Sequence, residues 1–434
     1  MYSVSELPTL YPDANSLTNP PNYGASQATA INDSGEIVGY SDTPQGNLHA
    51  VLWKGNSVHD LGTLDPDPNT PGQFQGDSIA TAINHNGVIV GYSLHLRASN
   101  APYDARAFRW YKPLRGRKGQ MSELVPPVGS LWARANGINQ SGEVTGAFYD
   151  GQKTQACVWD PAGNVTVLGI PPIGLGLGWN YSEGVGINDK GEVAVSAGEG
   201  NNAVYTPYFW SAGTWIPLRN APPLGLYAPL AINNKSEVVG RDFRWDPLTG
   251  FHDLPLPFTS WDWAYAVNDE GVIVGMIQGR NSQAPYAVVS WSGIFSADLN
   301  ILAQPNSDWQ LWEALGINSS GSIVGYGRSP NQRSGAFVAV PLPPGKTPIV
   351  NIAAQIMKIL SGVVADSSGL ALPFGVAKPI PVPPIGPKFQ GLLQPFRDAS
   401  TARALRPSVS PIRHAKLPSH IKSIRRGSKK RQRD

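Results

Sequence analysis

The sequence holds a single cysteine, Cys157, in 434 residues. That excludes an internal disulfide framework and any zinc or iron–sulfur site built from several thiolates. Charged residues make up only 15% of the chain, well under the roughly 25% of an average soluble protein, which argues against a charge-rich helical assembly. No apolar run reaches the roughly 18 residues of a membrane span. The start, Met1-Tyr-Ser-Val-Ser-Glu-Leu-Pro, has no basic segment followed by an apolar one, so no signal peptide is read there and a cytoplasmic setting stays open. The seven histidines (His49, His59, His85, His95, His252, His414 and His420) show no His-x-x-x-His spacing. Neither a Gly-x-Ser-x-Gly elbow nor a Walker loop occurs, and no metal or cofactor is expected.

What is abundant is glycine, with 47 residues, and proline, with 40. Together with 41% hydrophobic residues, this suits many short strands joined by turns. Charge is segregated. From Lys388 onward there are 13 Lys/Arg against two acids, Asp398 and Asp434, a segment of about +11, while the 387 residues before it sum to about −8. An acidic body with a basic end reads as a two-part molecule. The basic segment lacks apolar periodicity and is expected to be disordered. It is a candidate contact for a polyanion such as nucleic acid or a cell-wall polymer, or a solvated tail without a fixed partner.

The dominant feature is repetition. Ala30-Ile31-Asn32-Asp-Ser-Gly35-Glu-Ile37-Val38-Gly39-Tyr40 returns around Asn84, Asn139, Asn188, Asn233, Asn268 and Asn318. Successive copies are 52, 55, 49, 45, 35 and 50 residues apart. The residue two before the Asn is always Ala or Gly, and the residue five after it is always Ile or Val. Gly stands three after it except at Ser236, and seven after it except at Val195. Apolar, Asn-x-x-Gly, apolar is a hairpin. The Asn side chain bonds its own turn and Gly supplies the positive φ. An Ala-x-x-Trp strand such as Ala50-Val-Leu-Trp53 and a further strand such as Val58-His-Asp-Leu-Gly62 complete four antiparallel strands per copy.

Radial repetition of four-stranded sheets is the β-propeller plan. The expected fold is all-β: a seven-bladed β-propeller over residues 1–342. The seventh copy lacks a fourth strand, and Tyr2-Ser-Val-Ser-Glu-Leu7 matches it, so the N-terminal strand is expected to close the ring. The fifth copy leaves only Arg241 to Arg244 between Gly240 and Trp245, too little for a full hairpin, so that blade is expected to be incomplete or irregular. Residues 343–387 read as a C-terminal amphipathic helix, Thr347 to Val364, followed by a Pro-rich linker. Residues 388–434 are the basic tail.

The core Ala-Ile-Asn-x-x-Gly-x-Ile-Val-Gly-Tyr, with His49-Ala50-Val-Leu-Trp53 and Asp60-Leu61-Gly62-Thr63-Leu64, resembles the HAF repeat of bacterial, predicted extracellular repeat proteins. The resemblance covers roughly residues 1 to 341. It implies a secreted or cell-surface, propeller-like protein and no particular activity.

Of the 13 tryptophans, Trp53, Trp110, Trp159, Trp210, Trp245 and Trp291 occupy the third-strand slot and are expected to pack between blades. Six others, Trp132, Trp179, Trp261, Trp263, Trp309 and Trp312, fall in the stretches that lead from one copy to the next, as do Tyr23, Tyr181 and Tyr227. In a propeller those stretches gather on one face, around the mouth of the channel. Aromatic rings with Asp262, Asp308 and Glu313 among them suit a glycan or a protein ligand. The leading expectation is therefore a monomeric, non-catalytic binding or scaffold protein with those six tryptophans as the site. The alternative is a glycan hydrolase or lyase using axial carboxylates. Aspartates at Asp65 and Asp67 read as loop acids, with calcium only weakly signalled.

Overall fold

The computed structural model describes residues 1–11, 26–66, 74–95, 104–112, 119–172, 179–199, 204–218, 227–254, 262–278, 285–291, 295–304, 307–331 and 333–343. The helix expected at Thr347 to Val364, the Pro-rich linker and the basic tail lie outside these residues, as do Tyr23, Asp67 and Trp261. The chain is all-β. Among the described residues the one helix is the four-residue turn Leu299–Leu302, capped by the Asp298 side chain.

Each copy of the repeat folds as four antiparallel strands in sequence order. The first copy pairs Ser26–Ile31, Ile37–Asp42, Leu48–Lys54 and Ser57–Gly62. The third and fourth copies count as one eight-stranded sheet only through the single parallel pair Thr154↔Tyr181. In the seventh copy, Gln310–Ile317, Ile323–Arg328 and Ser334–Pro341 are joined by Tyr2–Glu6, with Tyr2 opposite Pro341 and Glu6 opposite Phe337. The fifth copy is short but complete. Pro229–Ile232, Val238–Gly240, Phe243–Asp246 and Gly250–Asp253 form a four-stranded sheet. The missing loop length is absorbed by a two-residue connection, Arg241-Asp242, in which Asp242 takes φ 62°. Asp tolerates that left-handed conformation better than most residues, which lets a hairpin form where length alone argued against one.

The Asn-x-x-Gly turn explains the repeat. In every copy the Asn N–H donates to the carbonyl four residues on, and the residue at Asn+3 returns its N–H to the Asn carbonyl. The residue at Asn+3 has φ between 66° and 88° in all seven copies, including Ser236 at 66°. The glycine at Asn+7 is required for a different reason. A Cβ there would lie 1.8–2.1 Å from the carbonyl oxygen of the residue five before the Asn, as at Gly39 against Gln27 and Gly275 against Trp263. The residue opposite it is Ala in most copies. In the fourth copy Val195 stands at Asn+7 and the opposite residue is Gly184, so the glycine has changed strands while the pair keeps one.

The core lies between sheets. Val38, Ala50 and Leu52 of the first copy pack with Ile89, Phe108 and Trp110 of the second. Val90 and Ala107 of the second pack with Val144, Phe148 and Trp159 of the third. Trp53 and Trp159 are fully buried, and their indole N–H groups donate to the carbonyls of Pro8 and Val125, at 2.6 and 2.9 Å. Trp291, in the same slot, is 37% exposed. Burying a side chain of this size contributes a few kcal/mol, about 3–5 lost on truncation to Ala.

The first strands touch one another in order: Ser26–Ile31, Asp77–Ile83, Trp132–Ile138, Tyr181–Ile187, Pro229–Ile232, Asp262–Val267, Gln310–Ile317, and Gln310–Ile317 again touches Ser26–Ile31. The repeat asparagines follow the same cycle. Each side-chain Oδ1 accepts from the N–H four residues on. Each Nδ2 donates to the backbone carbonyl of the next copy's Asn: Asn32 to Asn84, Asn84 to Asn139, Asn139 to Asn188, Asn188 to Asn233, Asn233 to Asn268, Asn268 to Asn318, and Asn318 back to Asn32, at 2.8–3.1 Å. All seven are 2–7% exposed. The sequence explains the bond each Asn makes to its own turn. The bond to its neighbour becomes visible only once the copies are side by side.

Candidate functional site

At the Asn end of the first strands every copy does the same thing. Five residues before the Asn, the copies differ: Gln27, Ile79, Arg134, Glu183, Ala228, Trp263 and Glu313. The carbonyls here are the ones that the Asn+7 glycines approach, so the backbone is fixed while the side chain is free to vary. Facing these positions across the first hairpin is the residue at Asn+8, as in Gln27↔Tyr40, Ile79↔Tyr92 and Glu313↔Tyr326.

Side chains at this end link one copy to the next. Tyr40 Oη donates to Gln27 Oε1 at 2.8 Å, and Gln27 Nε2 donates to Glu313 Oε2 at 3.0 Å, joining the first and seventh copies. Asn136 Nδ2 of the third copy donates to Glu183 Oε1 of the fourth at 2.8 Å, and Tyr181 Oη donates to Glu183 Oε2. Arg134 lies over the ring of Tyr92 in the second copy, 5.2 Å from its centroid, and over Trp132 at 5.3 Å. Arg241 of the fifth copy lies 4.9 Å over Trp263 of the sixth.

The phenols here are held neutral. Burial first, then the fields of Glu183 and Tyr205, pushes Tyr181 well above the ordinary tyrosine value. Burial, then Tyr326 and Glu313, does the same to Tyr40, and burial with Glu313 does so to Tyr265. The Tyr40 and Tyr181 hydroxyls donate hydrogen bonds, and all three are disfavoured as phenolates.

Five of the six tryptophans singled out in the sequence are described, and Trp261 lies outside the described residues. Trp132, Trp263 and Trp312 sit within first strands and not in the connections. Trp179 and Trp309 stand just ahead of first strands. Trp132 is half-buried and stacks on Tyr149, with centroids 6.0 Å apart. Trp263 is buried and stacks on Tyr265 at 6.2 Å. Trp312, half-buried, packs against Tyr326 at 5.4 Å. Trp179 meets Tyr208 edge-on and Trp309 meets Phe337 edge-on. Trp132, Trp263 and Trp312 thus border the polar side chains just described, while Trp132, like Trp179 and Trp309, also packs against a hydrophobic cluster.

Sequence reading passed over Gln27, Arg134 and Glu183. The signal was available: a polar residue at a fixed offset inside a strand whose other positions repeat Ala, Gly and Ile. Elsewhere, His49 Nδ1 pairs with Asp60 at 2.9 Å across the third and fourth strands of the first copy. Arg106 pairs with Glu123 at 3.4 Å in the equivalent place of the second, so this contact ties strands together. Among the described residues no cluster of His, Cys, Asp and Glu has the makings of a metal site. A small apolar cavity of about 10 Å³ beside Trp263, Leu254 and Val288 has room for no more than about one water.

No family model matches the chain, and no curated protein does. Solved structures with a similar arrangement of strands include Porphyromonas gingivalis dipeptidyl peptidase 4 (8% identity, 73% of this chain and 60% of that one, TM-score 0.37). Trypanosoma rangeli sialidase in complex with the inhibitor DANA is another (10% identity, 86% and 66%, TM-score 0.41). A third is a mutant Aleuria aurantia lectin in complex with Fucalpha1-6GlcNAc (11% identity, 76% and 99%, TM-score 0.33). The chain spans about 60% of the peptidase and 66% of the sialidase. With every score below 0.5, no property of those proteins carries over to this chain on likeness alone.

Proposed function

We propose that the seven four-stranded groups are the blades of one closed β-propeller, and that the end of its first strands remote from the Asn cycle binds a glycan without transforming it. The observation that carries this is the divergence five residues before each Asn. There, half-buried Gln27, Arg134, Glu183 and Glu313 are gathered between adjacent copies and bordered by Trp132, Trp263 and Trp312. A few polar groups set beside aromatic side chains are what a small oligosaccharide uses: apolar ring edges for its CH groups, amides and carboxylates for the hydroxyls. Burial that raises the Tyr181 phenol favours binding over nucleophilic chemistry there, because a tyrosine nucleophile needs its phenolate within reach. The closed ring leaves the first and last copies paired, which supports a monomer. The HAF-repeat resemblance supports a cell-surface or extracellular setting.

The test is a glycan array probed with the full chain at low and high salt. Binding that persists at high salt and falls at least tenfold in Glu183→Gln and Glu313→Gln, with the melting temperature nearly unchanged, is the expected result. Binding unaffected by either substitution would remove the site from this end of the ring. Turnover of a bound glycan would shift the reading to a hydrolase or lyase. A second reading rests on charge: the segment from Lys388 carries about +11. If it holds a polyanion, that binding falls steeply with salt and ignores both substitutions.

A further inference from the structure

We propose that Arg134 receives a carboxylate of the bound glycan, so that the site selects acidic, uronic-acid-type oligosaccharides over neutral ones; this rests on the glycan reading above. Arg134 differs from Arg109, Arg106 and Arg244 in its terminal nitrogens. Arg109 donates to the Tyr111 hydroxyl and to the carbonyls of Pro161, Gly142 and Asp160. Arg106 pairs with Asp65 and Glu123, and Arg244 with Glu237 and Asp246. The Arg134 side chain makes no hydrogen bond or ion pair among the described residues, and its Nε, like those of Arg106 and Arg109, is buried without an acceptor. A half-buried guanidinium set against two rings, with no acceptor for it among the described residues, is placed to receive a carboxylate.

The rings of Tyr92 and Trp132 flank the guanidinium. A planar fork matches the two oxygens of a carboxylate. The acid in its neighbourhood, Glu183, accepts from Asn136 and Tyr181 and makes no ion pair with Arg134, which leaves it acceptor sites for a further donor. Glu183 also sets the class of ligand. A single carboxylate among hydroxyls reaches Arg134 while a hydroxyl donates to Glu183. A run of carboxylates, as in an acidic peptide, would bring a second negative charge against Glu183.

The experiment uses the full chain on an array of acidic oligosaccharides, each beside its carboxyl-reduced form, with poly-glutamate as competitor. A charged hydrogen bond of this kind is expected to give about a 10- to 100-fold preference for the acid form. Arg134→Gln should erase that preference while the reduced forms still bind, and Arg134→Lys should keep part of it. Equal binding of acid and reduced forms overturns this inference and leaves the glycan reading standing. A preference that survives Arg134→Gln also overturns it, since the anion is then held elsewhere. Poly-glutamate competing as well as the oligosaccharide overturns the assignment to a sugar. Binding of no glycan at all removes both readings together.

Discussion

The two ends of the first strands are built from the same seven copies and obey opposite rules. At the Asn end, seven identical side chains make the same bonds in the same direction, and the cycle returns to its start. At the other end the copies present six residue types among seven, from Ala228 to Arg134 to Glu313. Where copies must fit one another, any departure costs two interfaces, and the residues stay alike. Where the contacts between copies are made one by one, as Gln27 to Glu313 and Asn136 to Glu183, the residues are released to differ. In a protein made of repeats, agreement between copies therefore marks the scaffold and disagreement marks the site.

That contrast can be broken most violently at the glycines. Gly275→Ala would place a methyl 1.8 Å from the Trp263 carbonyl oxygen, which only a backbone shift can relieve. The expected loss is about 3 kcal/mol or more, read by denaturant unfolding, and possession of a normal midpoint would refute the close-approach account. Next is the Asn cycle. Asn188→Ala removes the bond to the Asn233 carbonyl and the turn bonds from Lys190 and Glu192, for an expected loss of about 2–3 kcal/mol. Arg134→Gln at the other end should change stability by no more than about 0.5–1 kcal/mol. Equal losses at the two ends would erase the distinction between scaffold and site.

The smallest effects come from pH, and they separate the ends by sign. At the Asn end burial alone would raise the Glu36 carboxyl, but bonds from Lys54 and Asn32 outweigh it and leave Glu36 below the ordinary value. Its contribution is present above about pH 4.3 and is lost as pH falls through the lowered value, so Glu36→Gln should flatten the acid limb of a stability–pH profile. At the other end Tyr181 is raised, so its contribution is intact below about pH 10 and declines above it. Tyr181→Phe should flatten the alkaline limb and leave the acid one alone. A variant that moves the wrong limb would show that the groups are not where the bonding places them.

Much of the fold was legible in the sequence because local chemistry dictates it. Asn opens the turn, Gly at Asn+3 takes the positive φ, and alternating Ile and Val face the core; the first strand of the chain matched the strand missing from the last copy. The fifth copy was misjudged on length, since the count of residues between Gly240 and Trp245 does not show that Arg241-Asp242 alone can turn the chain. The site was less legible. Tryptophans draw attention as large rings, yet Trp179 and Trp309 meet Tyr208 and Phe337, and the more telling residue, Arg134, is distinguished by what it does not bond. Absence of a partner is a property of three-dimensional surroundings, and no spacing rule contains it.

Tyr2 lies opposite Pro341, and the Leu342 N–H donates to the Met1 carbonyl at 2.9 Å. The two strands that meet there run antiparallel, so Met1 and Leu342 leave from the same end of the pair. A pull applied between them loads the Leu342 to Met1 bond first, then the Tyr2↔Pro341 contact, and passes to Ser3↔Val340 only when those have parted. Heat and denaturant must overcome the whole cycle of contacts at once, but tension across these two residues opens it like a zip, one rung at a time.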